Sequence, residues 1–194
     1  MNGNHERVCT SPEWAEFLQT ELLPSFLDGV PLGSDLLELG PGPGASTEWL
    51  RSRVTRLTVL EIETEAAGKL AARFAGSNVR VLTGDATAMT FPDESFDSVG
   101  AFTMLHHIPS VSAQNRLFAE ALRVLRPGGV LVGSDSVASD RLHHFHADDV
   151  YHPVEPGTLL SRLQTIGFEH ITVILDRHLK FVARKAPEEA AAES

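Results

Sequence analysis

The sequence predicts an α/β protein built on one doubly wound β-sheet of about seven strands, mostly parallel, with an antiparallel last strand and an added N-terminal helix. Three observations predict it. From Asp35 onward, short β-type apolar runs alternate with stretches of helical periodicity, the order that generates right-handed βαβ units. The first run ends in a glycine-rich turn, "LELGPGPG", which leads straight into a helical pattern. The last two runs, residues 171–175 and 179–183, are joined by too few residues for a parallel crossover, so the final strand must turn back as a hairpin.

The elements follow in order. Thr10 to Glu13 fits a capping box, Pro12 suits a first helical turn, and Trp14, Phe17, Leu18 and Leu22 share one face, with Pro24 as the limit of that helix. Strands are expected over residues 35–39, 57–61, 79–83, 96–103 and 129–134. A helix follows Thr64, with Ala67, Leu70, Ala71 and Phe74 on its buried face, and Glu63 is only its start. Another carries Phe118, Ala121, Leu122 and Leu125 and is stopped by "RPGG", because proline cannot continue the ladder and glycine accepts the left-handed exit. A last helix, with Leu159, Leu163 and Ile166, ends at Gly167.

The turn after the first strand is a ligand site by its construction. Gly40, Gly42 and Gly44 allow positive φ and close approach of a ligand to bare backbone, at the start of a helix near Ala45. Gly40, Gly42 and Ala45 also satisfy the dinucleotide fingerprint, with Glu61 at a suitable distance for ribose hydroxyls, so a nicotinamide-dependent oxidoreductase is one reading. Pro41 and Pro43 weigh against it, since they delete two amide donors that a pyrophosphate cradle would use.

Five blocks in sequence carry a family resemblance: "LLELGPGPG", "VLEIE", "GDATAMTFPDESFDSV", "FTMLHHI" and "LRPGGVLV". Over residues 35–184 the chain resembles the class I S-adenosylmethionine-dependent methyltransferases, in particular the small-molecule, methyltransferase type 11-like kind with a Rossmann-like fold. The resemblance implies S-adenosyl-L-methionine as methyl donor and S-adenosyl-L-homocysteine as product. It implies that Gly40, Pro41, Gly42 and Gly44 shape the methionyl site, that Glu61 accepts from both ribose hydroxyls, and that Ile62 lies against the adenine. Asp85 would accept from the adenine amino group with Ala86 beside it, and Phe102, opening "FTMLHHI", would border the same cofactor. Glu38 either orders the loop or faces the cationic methionyl end. One domain over residues 1–185 is then expected, with a helical cap (1–33), a cofactor-binding half (34–135), a substrate loop and closing helix and hairpin (136–185), and a disordered tail (186–194).

Methyl transfer needs an aligned acceptor above all, and a base second. His106 and His107 follow the fourth strand where the resemblance brings the acceptor to the methyl group, and at most one of them faces it. Asp135, at the end of the fifth strand, lies on the same rim as a further catalytic candidate. Residues 135–157 lack clear periodicity and read as a substrate-facing loop or lid, carrying His143, His144, His146, Asp148, Asp149, Tyr151 and His152. His143 and His146 could chelate on one helical turn, but no recognised metal motif is matched and no metal is expected. Trp14 is a second candidate to touch substrate, from the cap.

The net charge of −10 argues against nucleic acid, and no basic run with interleaved aromatics offsets it. No segment has the length and apolarity of a signal peptide or membrane span, so a cytoplasmic protein without membrane association is expected. The lone Cys9 reads as a small buried apolar residue. The expected partner is a small-molecule acceptor offering an O, N or C nucleophile; a binding module that holds the cofactor without catalysis is the alternative. The acceptor's identity and the oligomeric state are not legible.

Overall fold

β1 (Asp35–Leu39) is an inner strand of a seven-stranded sheet, paired in parallel with β2 (Arg56–Glu61) on one side and β4 (Phe96–Phe102) on the other. The computed structural model describes residues 7–147 and 149–188. β3 (Val79–Thr83), β5 (Leu125–Ser136), β6 (Phe168–Leu175) and β7 (His178–Lys185) complete the order β3-β2-β1-β4-β5-β7-β6. β7 runs antiparallel to β6, as the short link at Asp176 and Arg177 requires, and antiparallel to β5 as well. Around the sheet lie α1 (Pro12–Phe17), α2 (Pro24–Leu27), α3 (Ala45–Leu50), α4 (Thr64–Arg73), α5 (Val111–Val124), α6 (Asp140–Phe145) and α7 (Pro156–Ile166).

Successive residues of a strand point to opposite faces, and the apolar runs of β1 and β5 therefore feed two separate cores. Leu37, Leu39 and Leu131 pack with Phe118 of α5 and Leu159 and Leu163 of α7. Leu36, Val130 and Val132 pack with Phe26 of α2, Trp49 of α3 and Phe74 just beyond α4. Helices on both faces leave the C-terminal ends of the parallel strands as one rim, where such sheets carry their ligands.

Several local expectations are corrected. Ser11, not Thr10, caps α1, its hydroxyl accepting from the Trp14 amide at 3.2 Å. The cap helix does not end at Pro24: α1 widens into a π-helical turn over Leu18–Leu22, and Pro24 opens α2, where its missing N–H costs nothing. Ala71 is exposed while Ala67, Leu70 and Phe74 are buried. Helix α5 already ends at Val124, and "RPGG" forms the irregular opening of β5 between Leu125 and Val130. There Arg126 bridges Asp97 at 2.5 Å and Asp35 at 3.3 Å, tying β5 to the N-terminal ends of β4 and β1. Residues 135–157 are not wholly irregular, since β5 runs on to Ser136, Ser139 caps α6 and Pro156 opens α7. Asp148 and residues 189–194 of the expected tail lie outside the described residues. No helix among the described residues is long and apolar enough to cross a membrane.

Candidate active site

The loop from β1 to α3 closes through a bond from the Gly44 amide to the Pro41 carbonyl (3.0 Å). Its three glycines have φ of +56°, +54° and +88°, all in the left-handed region. They serve different neighbours. A β-carbon on Gly40 would lie 2.9 Å from Met104, and one on Gly44 would lie 2.9 Å from Leu70 and 3.0 Å from the Phe74 ring. Gly42 has nothing within 4 Å, so it borders open space.

Beneath the loop, Glu38 is buried and accepts from the Ser46 hydroxyl and from the Thr47 hydroxyl (2.6 Å). It thus ties the first turn of α3 to β1 through hydroxyls. Burial pushes its carboxyl up to about 7, against the pull of those two bonds.

Farther along the rim, Glu61 ends β2 and accepts from the Glu63 amide at 3.1 Å, while Glu63 holds the N-cap position at the start of α4 without a side-chain cap bond. Ile62 beside it is 62% exposed, a large apolar side chain held out over the rim. Asp85 follows β3 and is exposed; its Oδ1 accepts from the Thr87 amide (2.7 Å) and hydroxyl (2.8 Å), with Ala86 buried next to it. These groups fit an adenosine: carboxylate acceptors for hydroxyl and amine donors, an apolar platform, and a bare glycine. Phe102 is placed otherwise. It is buried in the core beneath the rim, 6.4 Å from Phe26 between ring centroids.

β4 and β5 supply the third part of the rim. Their register pairs Phe102 with Ser134, and the Thr103 amide extends the ladder by bonding the Ser134 carbonyl at 2.7 Å. Thr103 has φ +51°, a strained value for a β-branched residue, and it turns the chain back so that the short 3₁₀ turn Leu105–His107 sits over Asp135. His106, 3% exposed, places its ring Nδ1 2.5 Å from Asp135 Oδ1, while Asp135 Oδ2 accepts from the His106 amide at 3.0 Å. His107 is half-buried, with Nδ1 3.1 Å from the Val150 carbonyl.

Of the expected lid residues, His146 and Tyr151 join this pair. His146 is buried at the end of α6, with Nδ1 2.8 Å from the Leu142 carbonyl, and burial holds its imidazole below the ordinary histidine range. Tyr151 stacks on it at 4.3 Å between centroids and 16° between planes. One ring nitrogen each from His106, His107 and His146 lie within 4.8 Å of one another. His143 is exposed and meets the edge of the Tyr151 ring, so the chelating pair with His146 that the spacing would allow is not formed, and His146 lies against His106 and His107 instead. Trp14 packs with Phe17, Leu18 and Leu22 against Ala45, and Gln19 bonds the Ala45 carbonyl at 3.0 Å, so the cap roofs the glycine loop.

Thr103, Ser46 and Thr47 were not expected at the site. Hydroxyls two and three residues beyond the last glycine of the turn, in a helix start, are the only sequence signal for the last two.

The description "methyltransferase domain" matches residues 37–133 of this chain, from β1 through β5. The chain belongs to that family. As a class I S-adenosylmethionine-dependent methyltransferase it is 34% identical over 107 residues to the demethylmenaquinone methyltransferase of Tropheryma whipplei (strain Twist), an alignment covering 54% of this chain and 42% of that one. It is 35% identical over 114 residues to the 2-methyl-6-phytyl-1,4-hydroquinone methyltransferase of Synechocystis sp., covering 56% and 34%. The chain thus spans less than half the length of these curated relatives. In fold it resembles a chain from the complex of the Haloferax volcanii Trm112 methyltransferase activator with a methyltransferase, at TM-score 0.76 and 16% identity, over 97% of this chain and 99% of that one. The family match sets aside the nicotinamide-dependent reading.

Proposed function

We propose that the protein transfers a methyl group to an O, N or C nucleophile of a small molecule that enters between the N-terminal cap and residues 136–155. Glu61 and Ile62 would hold the ribose and adenine of S-adenosylmethionine, Asp85 and Ala86 the adenine edge, and residues 40–44 the methionyl end, with Glu38 ordering that loop from below. Bound there, the cofactor supplies an electrophilic methyl group on a sulfonium.

The chain's own contribution is position and proton removal. Orientation of the acceptor can account for roughly 7–11 kcal/mol of a barrier, and a base for a factor of about 10² to 10⁴. The observation that carries the base assignment is the buried pair of His106 and Asp135. Asp135 can only accept, so it holds the proton of the neutral imidazole on Nδ1 and leaves the lone pair on Nε2 for the proton of the acceptor. His107 and Tyr151 would wall the same space. A small-molecule acceptor is supported by the net charge of −10 and by the relatives named for demethylmenaquinone and a hydroquinone.

Calorimetry with S-adenosylhomocysteine, then transfer of labelled methyl to a panel of phenols, quinols and amines, tests this. The expected result is 1:1 binding and label on a small acceptor. Absence of heat with both donor and product, or label found only on nucleic acid or protein, would sink it.

A further inference from the structure

We propose that His106, His107 and His146 form a binding site for one divalent transition-metal ion, zinc being the best matched. The three rings come from two separate parts of the chain, the turn after β4 and the end of α6, and meet with centroids 4.2, 4.9 and 5.5 Å apart. Each Nδ1 faces a group that only accepts: the Asp135 carboxylate, the Val150 carbonyl and the Leu142 carbonyl. In all three neutral rings the proton is therefore drawn to Nδ1 and the lone pair to Nε2. Metal-bound histidines show this arrangement, with a carboxylate or carbonyl fixing the tautomer from behind.

The donor set selects the ion. Three imidazoles suit zinc, copper or nickel and are poor ligands for magnesium or calcium, which need oxygen. Three histidines also leave a fourth tetrahedral position open. Bonds of about 2.0–2.1 Å to a tetrahedral ion place ligand nitrogens about 3.3 Å apart, so the present separation, within 4.8 Å, closes by modest ring rotation. His107, half-buried, has the most freedom to rotate, whereas Tyr151 clamps His146 by stacking. An ion and the acceptor's proton would compete for the His106 lone pair, so metal loading and the base role exclude each other.

The test is titration of the full chain, stripped with chelator, using Co²⁺ followed by its visible absorption and Zn²⁺ by competition with a chromophoric chelator. One ion per chain is expected, with an intense tetrahedral Co²⁺ band. His107→Ala and His146→Ala should each weaken binding at least tenfold, and Asp135→Asn by about 10- to 100-fold, as for other partners behind a metal ligand. His143→Ala and His144→Ala, on exposed residues, should change it less than twofold. His107→Ala guards against loss of fold, since that side chain is only half-buried, and circular dichroism confirms each variant. No stoichiometric binding, or equal weakening by His143→Ala, overturns the proposal. The readout does not involve S-adenosylmethionine, so failure here is distinct from failure of the methyl-transfer reading.

Discussion

Asp135 holds His106 twice, by the ring Nδ1 at 2.5 Å and by the backbone amide at 3.0 Å, with both side chains buried. One carboxylate thus sets both the path of the turn after β4 and the tautomer of the imidazole. Asp135→Ala removes both bonds and leaves buried donors behind. Hydrogen bonds to charged groups contribute about 1.5–3 kcal/mol each, so a stability loss of roughly 3–5 kcal/mol is expected for removing the pair's partner, read from urea unfolding. His106→Asn should cost less stability and lower turnover by about 10² to 10⁴, with binding of S-adenosylhomocysteine unchanged. A variant retaining full turnover would remove His106 from the role of base.

Glu38 makes stability depend on pH in a defined direction. Its folded value of about 7 lies above the ordinary 4.5, so between those values the unfolded chain releases a proton that the folded chain keeps. The stabilisation is fully present below pH 4.5 and is lost as pH rises through about 7. One pKa unit corresponds to 1.36 kcal/mol, so the loss is on the order of 3 kcal/mol. Glu38→Gln, which keeps an acceptor for Ser46 or Thr47, should flatten this slope in denaturant melts at pH 5 and pH 8. An unchanged slope in the variant would assign it to other groups.

The glycines of the loop separate packing from ligand space. Gly44→Ala meets a left-handed φ and a side chain at 2.9 Å. It should cost about 1–2 kcal/mol for the conformation and about 1–3 more for overpacking. Gly42→Ala meets the same conformational cost alone, since nothing lies within 4 Å. If Gly42 faces the cofactor, its alanine variant loses more affinity for S-adenosylhomocysteine than stability. Equal unfolding midpoints for the two variants would contradict the packing at Gly44.

The sheet was legible because its inner strands are buried on both faces, so runs such as Leu36 to Leu39 mark it without tertiary information, whereas the edge strands β3 and β6 are largely exposed. The hairpin was legible from chain length alone. The shared edge of these groups was legible from spacing, since Glu61 ends β2 and Asp85 follows β3 on the side that the glycine turn defines. The pairing of His106 with Asp135 was not, because it depends on the β4 to β5 register and on the reversal at Thr103, across 29 residues. Nor was the docking of His146, which a polar segment without periodicity does not announce. Phe102 sits next to rim residues in sequence yet points into the core, since one step along a strand changes face.

Glu61 and Ile62 give the sharpest separation of binding from folding. Ile62 is 62% exposed, so Ile62→Ala removes little buried surface and should change stability by less than about 0.5 kcal/mol. Against a bound adenine the same side chain would be covered, and burying it is worth about 1.5–3 kcal/mol. Its alanine variant should therefore weaken S-adenosylhomocysteine binding by roughly ten- to a hundredfold. Glu61→Gln keeps the acceptor of the Glu63 amide and loses the charge that strengthens bonds to hydroxyls, a cost of about 1–2 kcal/mol in binding. Calorimetry and thermal melts on the same preparations decide it: affinity should fall in both while their melting temperatures stay within a few degrees of the parent chain, and affinity that survives Ile62→Ala would place the adenine elsewhere on the rim.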